Sequence, residues 1–462
     1  MGFEVAIIGL GRMGQNLALN LAEKGISVAA YNRTPDRTRE LLAKAKGLPL
    51  TGFEEIPRMM LELRSPRKIL LMVAPGRPVD EVLSQVERFL EQGDIVADLG
   101  NSHFRDTERR EQQARARGYH FLGIGVSGGP RGARRGLSIM AGGHVEAYEQ
   151  LREVLEAAAA QGPHGKAVGY FGAGGAGHFV KMVHNGIEYA LMQAIAELYD
   201  LQARTMSRTC PQIAEFFSRC SKGAASSFLL EAAVEVLKQE DERTHLPLVE
   251  LIADRAEQKG TGRWCVQEAL ELGCAVPMIS AAVQARTLSS FLELRQLLSE
   301  RYRPHHGRGD LPDEELEQAL CFAFVMAYAE GLELLRRAAR VHGYALRLAE
   351  ALRVWHAGSV IRSSFVSELF KIGGELEARQ HVLLSERVQA WLRGWLRAAR
   401  KVASVAKEEA IPTPCLSSAL DHFDTLTSRR LPAGLLQGLR DYFGGHGFER
   451  VDEPGIHHGP WE

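Results

Sequence analysis

The sequence predicts an α/β unit built on a parallel sheet, then a large all-α unit, then a C-terminal tail. Three observations predict it. Short apolar runs alternate with helix-like runs up to residue 176, the pattern of strands joined by crossover helices. From residue 177 long Ala- and Leu-rich helical periodicity takes over. From residue 431 the chain is rich in Gly, Pro and aromatics and too short to build a core. The expected units are therefore 1–176, 177–430 and 431–462, within the two or three that 462 residues allow.

In the first unit, strands are expected at residues 3–8, 27–31, 68–73, 95–98 and 120–125, each short, apolar and bounded by Gly, Pro or Asn. Helical patterns fall between them, as at 15–24 and 80–90. In the second unit, helices are expected at 178–201, 279–300, 314–342 and 388–409, stopping at Ile411-Pro-Thr-Pro414. The tail would lie against another surface.

Composition excludes several classes. Lys and Arg number 56 against 57 Asp and Glu, without the basic excess of a nucleic-acid-binding chain. The six cysteines (Cys210, Cys220, Cys265, Cys274, Cys321 and Cys415) are scattered and form no C-x-x-C pair. No metal or redox site is expected, and the sparse thiols fit a reducing compartment. No apolar run of about 18 residues is evident, so no membrane span is expected. The N-terminus enters a strand without a basic region before it. A cytoplasmic enzyme is the expectation.

Gly9-Leu10-Gly11-Arg12-Met13-Gly14 has G-x-G-x-x-G spacing after one predicted strand and at the start of a helix. That context makes it a dinucleotide signature of a Rossmann-like unit. The first glycine permits the turn, the second lets backbone approach a pyrophosphate, and the third packs the helix closely. The helix N-terminus adds amides and partial positive charge. The second strand ends at Tyr31-Asn32-Arg33-Thr34, with no acid to hold a ribose 2′-hydroxyl and repel a 2′-phosphate. Asn32, Arg33 and Thr34 can all donate to such a phosphate, so NADP is the expected cofactor. A second match, Gly172-Ala-Gly174-Gly-Ala-Gly177, follows only a brief apolar stretch. It is read as a flexible loop delivering the next helix.

Lys181, His184, Asn185 and Glu188 fall at i, i+3, i+4 and i+7, on one helix face. The other faces are apolar, so this polar stripe should line a cavity. Lys181 and Glu188 stand roughly 10 Å apart along the axis. A desolvated lysine can act as a base and a desolvated carboxyl as an acid, at two points of one small molecule.

The string Gly177-His-Phe-Val-Lys-Met-Val-His-Asn-Gly-Ile-Glu-Tyr189 resembles the signature of the 6-phosphogluconate dehydrogenase family. Asp98-Leu-Gly-Asn-Ser102, Gly125-Val-Ser-Gly-Gly129, Gln258-Lys-Gly-Thr-Gly262, Ala285-Arg286 and Gln437-Gly-Leu-Arg-Asp-Tyr-Phe-Gly-Gly-His446 are similar to further motifs of that family. The resemblance spans essentially the whole chain. It implies oxidative decarboxylation of 6-phosphogluconate with NADP, in the pentose phosphate pathway. It implies Lys181 as general base and Glu188 as acid. Asn101, Ser127, Gly128, Gly129, His184 and Asn185 would hold the carboxylate and hydroxyls. Tyr189, Lys259, Thr261 and Arg286 would bind the phosphate, completed by Arg440 and His446 from the tail of a homodimer partner. Val73, Ala74, Pro75 and Asn101 would lie at the nicotinamide end. Bare amides at Gly128 and Gly129 suit a carboxylate, and guanidiniums suit phosphate.

The chain departs from the family at Val73-Ala74-Pro75-Gly76, where Val-Lys-Ala-Gly is common, and at Pro130-Arg131, where Glu-Glu is common. The 301–309 stretch also differs from the usual family loop and is given no function. Two alternatives stay open: a non-decarboxylating β-hydroxyacid dehydrogenase, and a non-catalytic homologue that keeps the fold.

Overall fold

The computed structural model describes residues 2–302 and 309–461. Most of the 301–309 stretch lies outside the described residues. The first unit is an eight-stranded sheet. Its strands are β1 (Val5–Ile8), β2 (Val28–Tyr31), β3 (Leu50–Phe53), β4 (Lys68–Leu71), β5 (Ile95–Asp98), β6 (His120–Ser127), β7 (Ser138–Gly142) and β8 (Val168–Tyr170). They lie in the order β8-β7-β6-β5-β4-β1-β2-β3. Strands β1 to β6 pair in parallel, but β7 runs antiparallel to β6, so the sheet is mixed rather than all-parallel. The strand order reverses between β1 and β4, and ligands of open α/β sheets bind in the crevice at such a switch. Helix α1 (Arg12–Glu23) leaves β1 there.

Strands β3, β7 and β8 were outside the expected set. Each is short and carries an internal glycine or ends on one, which mutes the alternation that marks a strand. The second glycine motif does follow a strand, contrary to the sequence expectation, and it delivers the next helix as expected. Packing accounts for its glycines. A Cβ on Gly177 would lie 2.4 Å from Gly123 O, and one on Gly175 would lie 2.5 Å from Phe104 O. These glycines let the next helix press against the sheet and its neighbours.

That helix, α2 (Ala176–Thr205), runs through the centre of the all-α unit, buried along most of its length. The unit's other helices include α3 (Thr261–Glu271), α4 (Pro277–Ser289), α5 (Leu292–Tyr302), α6 (Asp313–His342), α7 (Glu386–Glu408) and α8 (Pro414–Thr427). Three expectations are corrected here. The 279–300 run is two helices, broken at Ser290 and Phe291. Helices do not stop at residues 411–414, because Pro414 begins α8 at the position where a missing N–H costs nothing. Helix α6 is long and apolar enough to cross a membrane, yet 89% of its apolar window is buried inside the protein, as the core helix of this unit.

The tail is a helix, α9 (Ala433–Gly444), and a two-stranded hairpin, β9 (Phe448–Glu449) with β10 (Ile456–His457). Asp441 organises it. Its carboxylate accepts from Gly447 N and Gly459 N, both at 2.8 Å, from Trp461 Nε1 at 2.6 Å, and lies 2.6 Å from His458 Nδ1. These donors hold its carboxyl well below the usual range. The helix meanwhile exposes Leu435, Leu436, Tyr442 and Phe443, each more than 60% accessible.

Candidate active site

The crevice at the β1/β4 switch is a cavity of about 310 Å³. Gly9, Gly11, Asn32, Arg33, Thr34, Val73 and Ala74 line it. Gly9 has φ +100°, and a Cβ there would meet Met72 O at 2.5 Å. A Cβ on Gly14 would meet Gly9 O at 1.9 Å. Gly11 is different, because nothing lies within 4 Å of its Cβ position. Packing explains the outer two glycines but not the middle one, which leaves open space at the α1 N-terminus for a ligand to approach. The site thus fits a dinucleotide, with its pyrophosphate at the α1 N-terminus.

Asn32 sits between the two turns at the edge of the crevice. Its Oδ1 accepts from Leu10 N at 2.9 Å and its Nδ2 donates to Thr34 O at 3.1 Å, so this side chain mainly ties the two turns together. Arg33 and Thr34 are exposed at the rim. Among the described residues Arg33 has no hydrogen-bond or ionic partner. Arg12, Met13 and Leu10 fall in the turn and the first turn of α1, and Pro75 is exposed just beyond Ala74. Glu81, Val82 and Gln85 also line the cavity. No spacing or motif marked those three.

The polar stripe of α2 is buried as expected. Lys181 is 6% exposed, His184 0% and Asn185 7%. Lys181 Nζ lies 3.2 Å from His184 Nδ1, which lies 3.2 Å from Asn185 Oδ1. Burial lowers the Lys181 pKa to about 8, against the pull of Glu188. Burial first, then the Lys181 charge, holds the His184 imidazole neutral. Glu188 sits in a recess with a quarter of its side chain accessible. Desolvation raises its pKa, while Lys181 and Arg286 pull it down.

The sheet supplies the opposite wall. Gly125 on β6 packs so closely that a Cβ would lie 2.2 Å from Lys181 Cβ. Ser127 Oγ accepts from Val360 N at 3.2 Å. Gly128, at φ +127°, has its Cβ position 2.6 Å from Gly358 O. His184 Nε2 lies 2.8 Å from Ser359 Oγ, so the 358–360 loop joins Ser127 to the stripe. Ser359 is a site residue that sequence reasoning missed; an isolated serine in a loop carries no signal. Gly129 begins the short helix after Gly128, and Asn101 is exposed just after β5.

At the far end of the stripe, the Arg286 guanidinium stacks 3.5 Å from the Tyr189 ring centre. A Cβ on Gly262 would meet the Tyr189 ring at 2.5 Å, so α3 packs its first turn, with Thr261, on that ring. Lys259 is exposed just before it. Arg440 and His446 are not brought to this pocket by their own chain. Among the described residues, Arg440 bonds to Gln437 of its own helix, and neither tail residue bonds to the pocket.

A dinucleotide crevice on the sheet, with a buried lysine and a recessed carboxyl on the central helix, defines a nicotinamide-dependent dehydrogenase. Comparison with known proteins narrows this. Residues 177–461 match the 6-phosphogluconate dehydrogenase C-terminal domain, and residues 4–172 match the NAD-binding domain of 6-phosphogluconate dehydrogenase. The chain belongs to the 6-phosphogluconate dehydrogenase family. It is 41% identical to the decarboxylating 6-phosphogluconate dehydrogenase of Synechococcus elongatus, covering 99% of both chains. It is 38% identical to an NAD(+)-dependent decarboxylating enzyme of Bacillus subtilis, again covering 99% of both. The structure of the Plasmodium falciparum enzyme, studied as apo form and with NADP+ and 6-phosphogluconate, matches with TM-score 0.95 at 35% identity. That match covers 99% of this chain and 100% of the other.

Proposed function

We propose that this chain oxidises 6-phosphogluconate and decarboxylates it to ribulose 5-phosphate and carbon dioxide, reducing NADP. The observation that carries the reading is the α2 stripe. It puts a lysine of lowered pKa and a carboxyl of raised pKa on one buried face, with Arg286 at one end. Relatives of similar identity differ in cofactor, so the choice of NADP rests on Arg33 and the absence of an acid at the β2 end.

NADP, when bound, supplies the acceptor for the C3 hydride. Lys181, as the neutral amine, takes the proton of the C3 hydroxyl as that hydride leaves. The resulting β-keto acid loses carbon dioxide because its ketone accepts the electron pair. Glu188, whose burial favours the protonated form, delivers a proton to the former C2 of the enediol. Neutral His184, with Asn185 and Asn101, hydrogen-bonds substrate hydroxyls, while Ser127, Gly128 and Gly129 hold the carboxylate. Tyr189, Lys259, Thr261 and Arg286 bind the phosphate.

Residues 1–176 bind the cofactor and 177–430 hold substrate and form a homodimer. The tail, 431–462, reaches the partner's pocket with Arg440 and His446. The bare apolar face of α9 supports this, as do Leu294, Leu297 and Tyr302 exposed on α5. A cytoplasmic location is supported by six cysteines that are all free. Steady-state turnover of 6-phosphogluconate, followed at the reduced nicotinamide with NADP and with NAD, tests the reading. Turnover with a clear preference for NADP is expected. No turnover with either cofactor would overturn it.

A further inference from the structure

Two helices of the all-α unit begin in the same way. Helix α4 starts at Pro277 and α8 at Pro414. A proline at the first position has no N–H, so each helix has two orphan donors before its internal bonds begin. They are Met278 and Ile279 in α4, and Cys415 and Leu416 in α8. The next amides, Ser280 N and Ser417 N, already bond Val276 O and Thr413 O at 2.9 Å. Neither helix is capped by its own N-cap side chain.

A buried carboxylate from another helix takes both donors in each case. Glu330 of α6 accepts from Met278 N at 2.9 Å and from Ile279 N at 3.0 Å. Glu197 of α2 accepts from Cys415 N at 2.8 Å and from Leu416 N at 3.0 Å. Glu330 is 1% exposed and Glu197 2%. His422 of α8 closes the set, its Nδ1 3.0 Å from Glu330 Oε1. Cys415 Sγ adds a contact to Met278 O at 3.4 Å. The starts of α4 and α8 are thus tied to each other and to α6 and α2.

A serine or aspartate at the N-cap would satisfy the same donors without burying a distant charge. What the distant carboxylate adds is position. Bonding the first turn of α4 from α6 fixes that helix in both axis and rotation. Arg286 lies eight residues beyond Met278, about 12 Å along the same helix. Its guanidinium is set by that helix, by the Tyr189 ring beneath it and by bonds from Nη1 to Glu257 O at 3.3 Å and from Nη2 to Met192 Sδ at 3.8 Å.

We propose that Glu330, assisted by His422, is a positioning residue for the substrate-phosphate subsite. It fixes α4 so that Arg286 faces the phosphate together with Lys259 and Thr261. This rests on the reading of Arg286 as a phosphate ligand. Glu330 touches no reacting atom, so its effect must pass through Arg286.

The test uses the full-length enzyme. Glu330→Gln keeps the size of the side chain but turns an NH₂ toward one of the two backbone N–H donors. The KM for 6-phosphogluconate should rise about tenfold, as small misplacements of a positioning group do. The kcat and the KM for NADP should stay within about twofold, since the stripe and the crevice are not displaced. Inorganic phosphate, a competitor that probes the phosphate subsite alone, should lose inhibition in parallel. In an Arg286→Ala background Glu330→Gln should add nothing, because a residue acting through Arg286 has no effect once it is gone. If Arg286→Ala alone changes neither the KM nor phosphate inhibition, the phosphate-ligand reading fails and the inference falls with it. If Arg286→Ala raises the KM but Glu330→Gln lowers kcat and both affinities alike, the reading stands and the positioning role is refuted. An undiminished Glu330→Gln effect in the double variant refutes it too. Should the Gln variant fail to fold, Glu330→Asp, which keeps the charge but withdraws it by one methylene, is read by the same criteria.

Discussion

Replacing Lys181 with methionine separates what the buried amine does for chemistry from what it does to stability. Lys181 is 6% exposed, and burial holds its pKa at about 8. At pH 7 about one molecule in eleven then carries the neutral amine that can act as base. The kcat/KM for 6-phosphogluconate should rise about tenfold per pH unit on the acid side and level off above the Lys181 pKa. In Lys181→Met that limb should vanish, with oxidation down at least about 100-fold and NADP affinity unchanged. The stability effect runs the other way. A free lysine titrates near about 10.4, so the unfolded chain binds more protons in the window between that value and the folded pKa. Wild-type stability should therefore rise with pH across that window. The penalty below it is up to about 3 kcal/mol, the distance between those two pKa values converted to free energy. Lys181→Met removes it, so the variant should be about 1–3 kcal/mol more stable at pH 7, with the gain shrinking as pH approaches about 10. Urea unfolding at both pH values and initial-rate pH profiles are the assays. A variant that keeps the acid limb, or is less stable than wild type at pH 7, would refute the reasoning.

Three further outcomes are expected. Arg33→Ala should weaken NADP binding about 10- to 150-fold, the loss of one charge-assisted contact, and affect NAD much less; equal effects on both in titration calorimetry would contradict the 2′-phosphate role. Gly125→Ala puts a methyl 2.2 Å from Lys181 Cβ, so it should cost about 1–3 kcal/mol in thermal unfolding and depress kcat with it. Mixing Arg440→Ala chains with Lys181→Met chains should restore activity, since a mixed dimer leaves one of its two sites whole if the tail is exchanged. No recovery despite proven mixed dimers would place the tail in its own subunit's service.

The parts of the fold legible in the sequence were those with strong local periodicity. The strands β1, β2, β4, β5 and β6, and the helices α2 and α6, carry it over most of their length. Strands β3, β7 and β8 did not, because Gly52, Gly142 and Gly169 interrupt short runs whose pairing depends on distant neighbours. The break between α4 and α5 was hidden because no Gly or Pro marks it. The site was legible where one helix carries it: four residues of α2 declared both the face and its burial. It was not legible where the fold assembles it from afar. Ser359 reaches His184 across 175 positions, and Glu330 reaches α4 across 52. Nor could spacing reveal that Asn32 spends its amide on Leu10 and Thr34.

The central claim is that Lys181 and Glu188 carry an oxidation followed by loss of carbon dioxide. Incubating the enzyme with 6-phosphogluconate labelled at the carboxyl carbon, and counting released carbon dioxide against NADPH formed, tests it most directly. One carbon dioxide per NADPH is expected throughout the progress curve. NADPH formed with the label retained in an acid product would contradict it, and would make the chain a non-decarboxylating dehydrogenase.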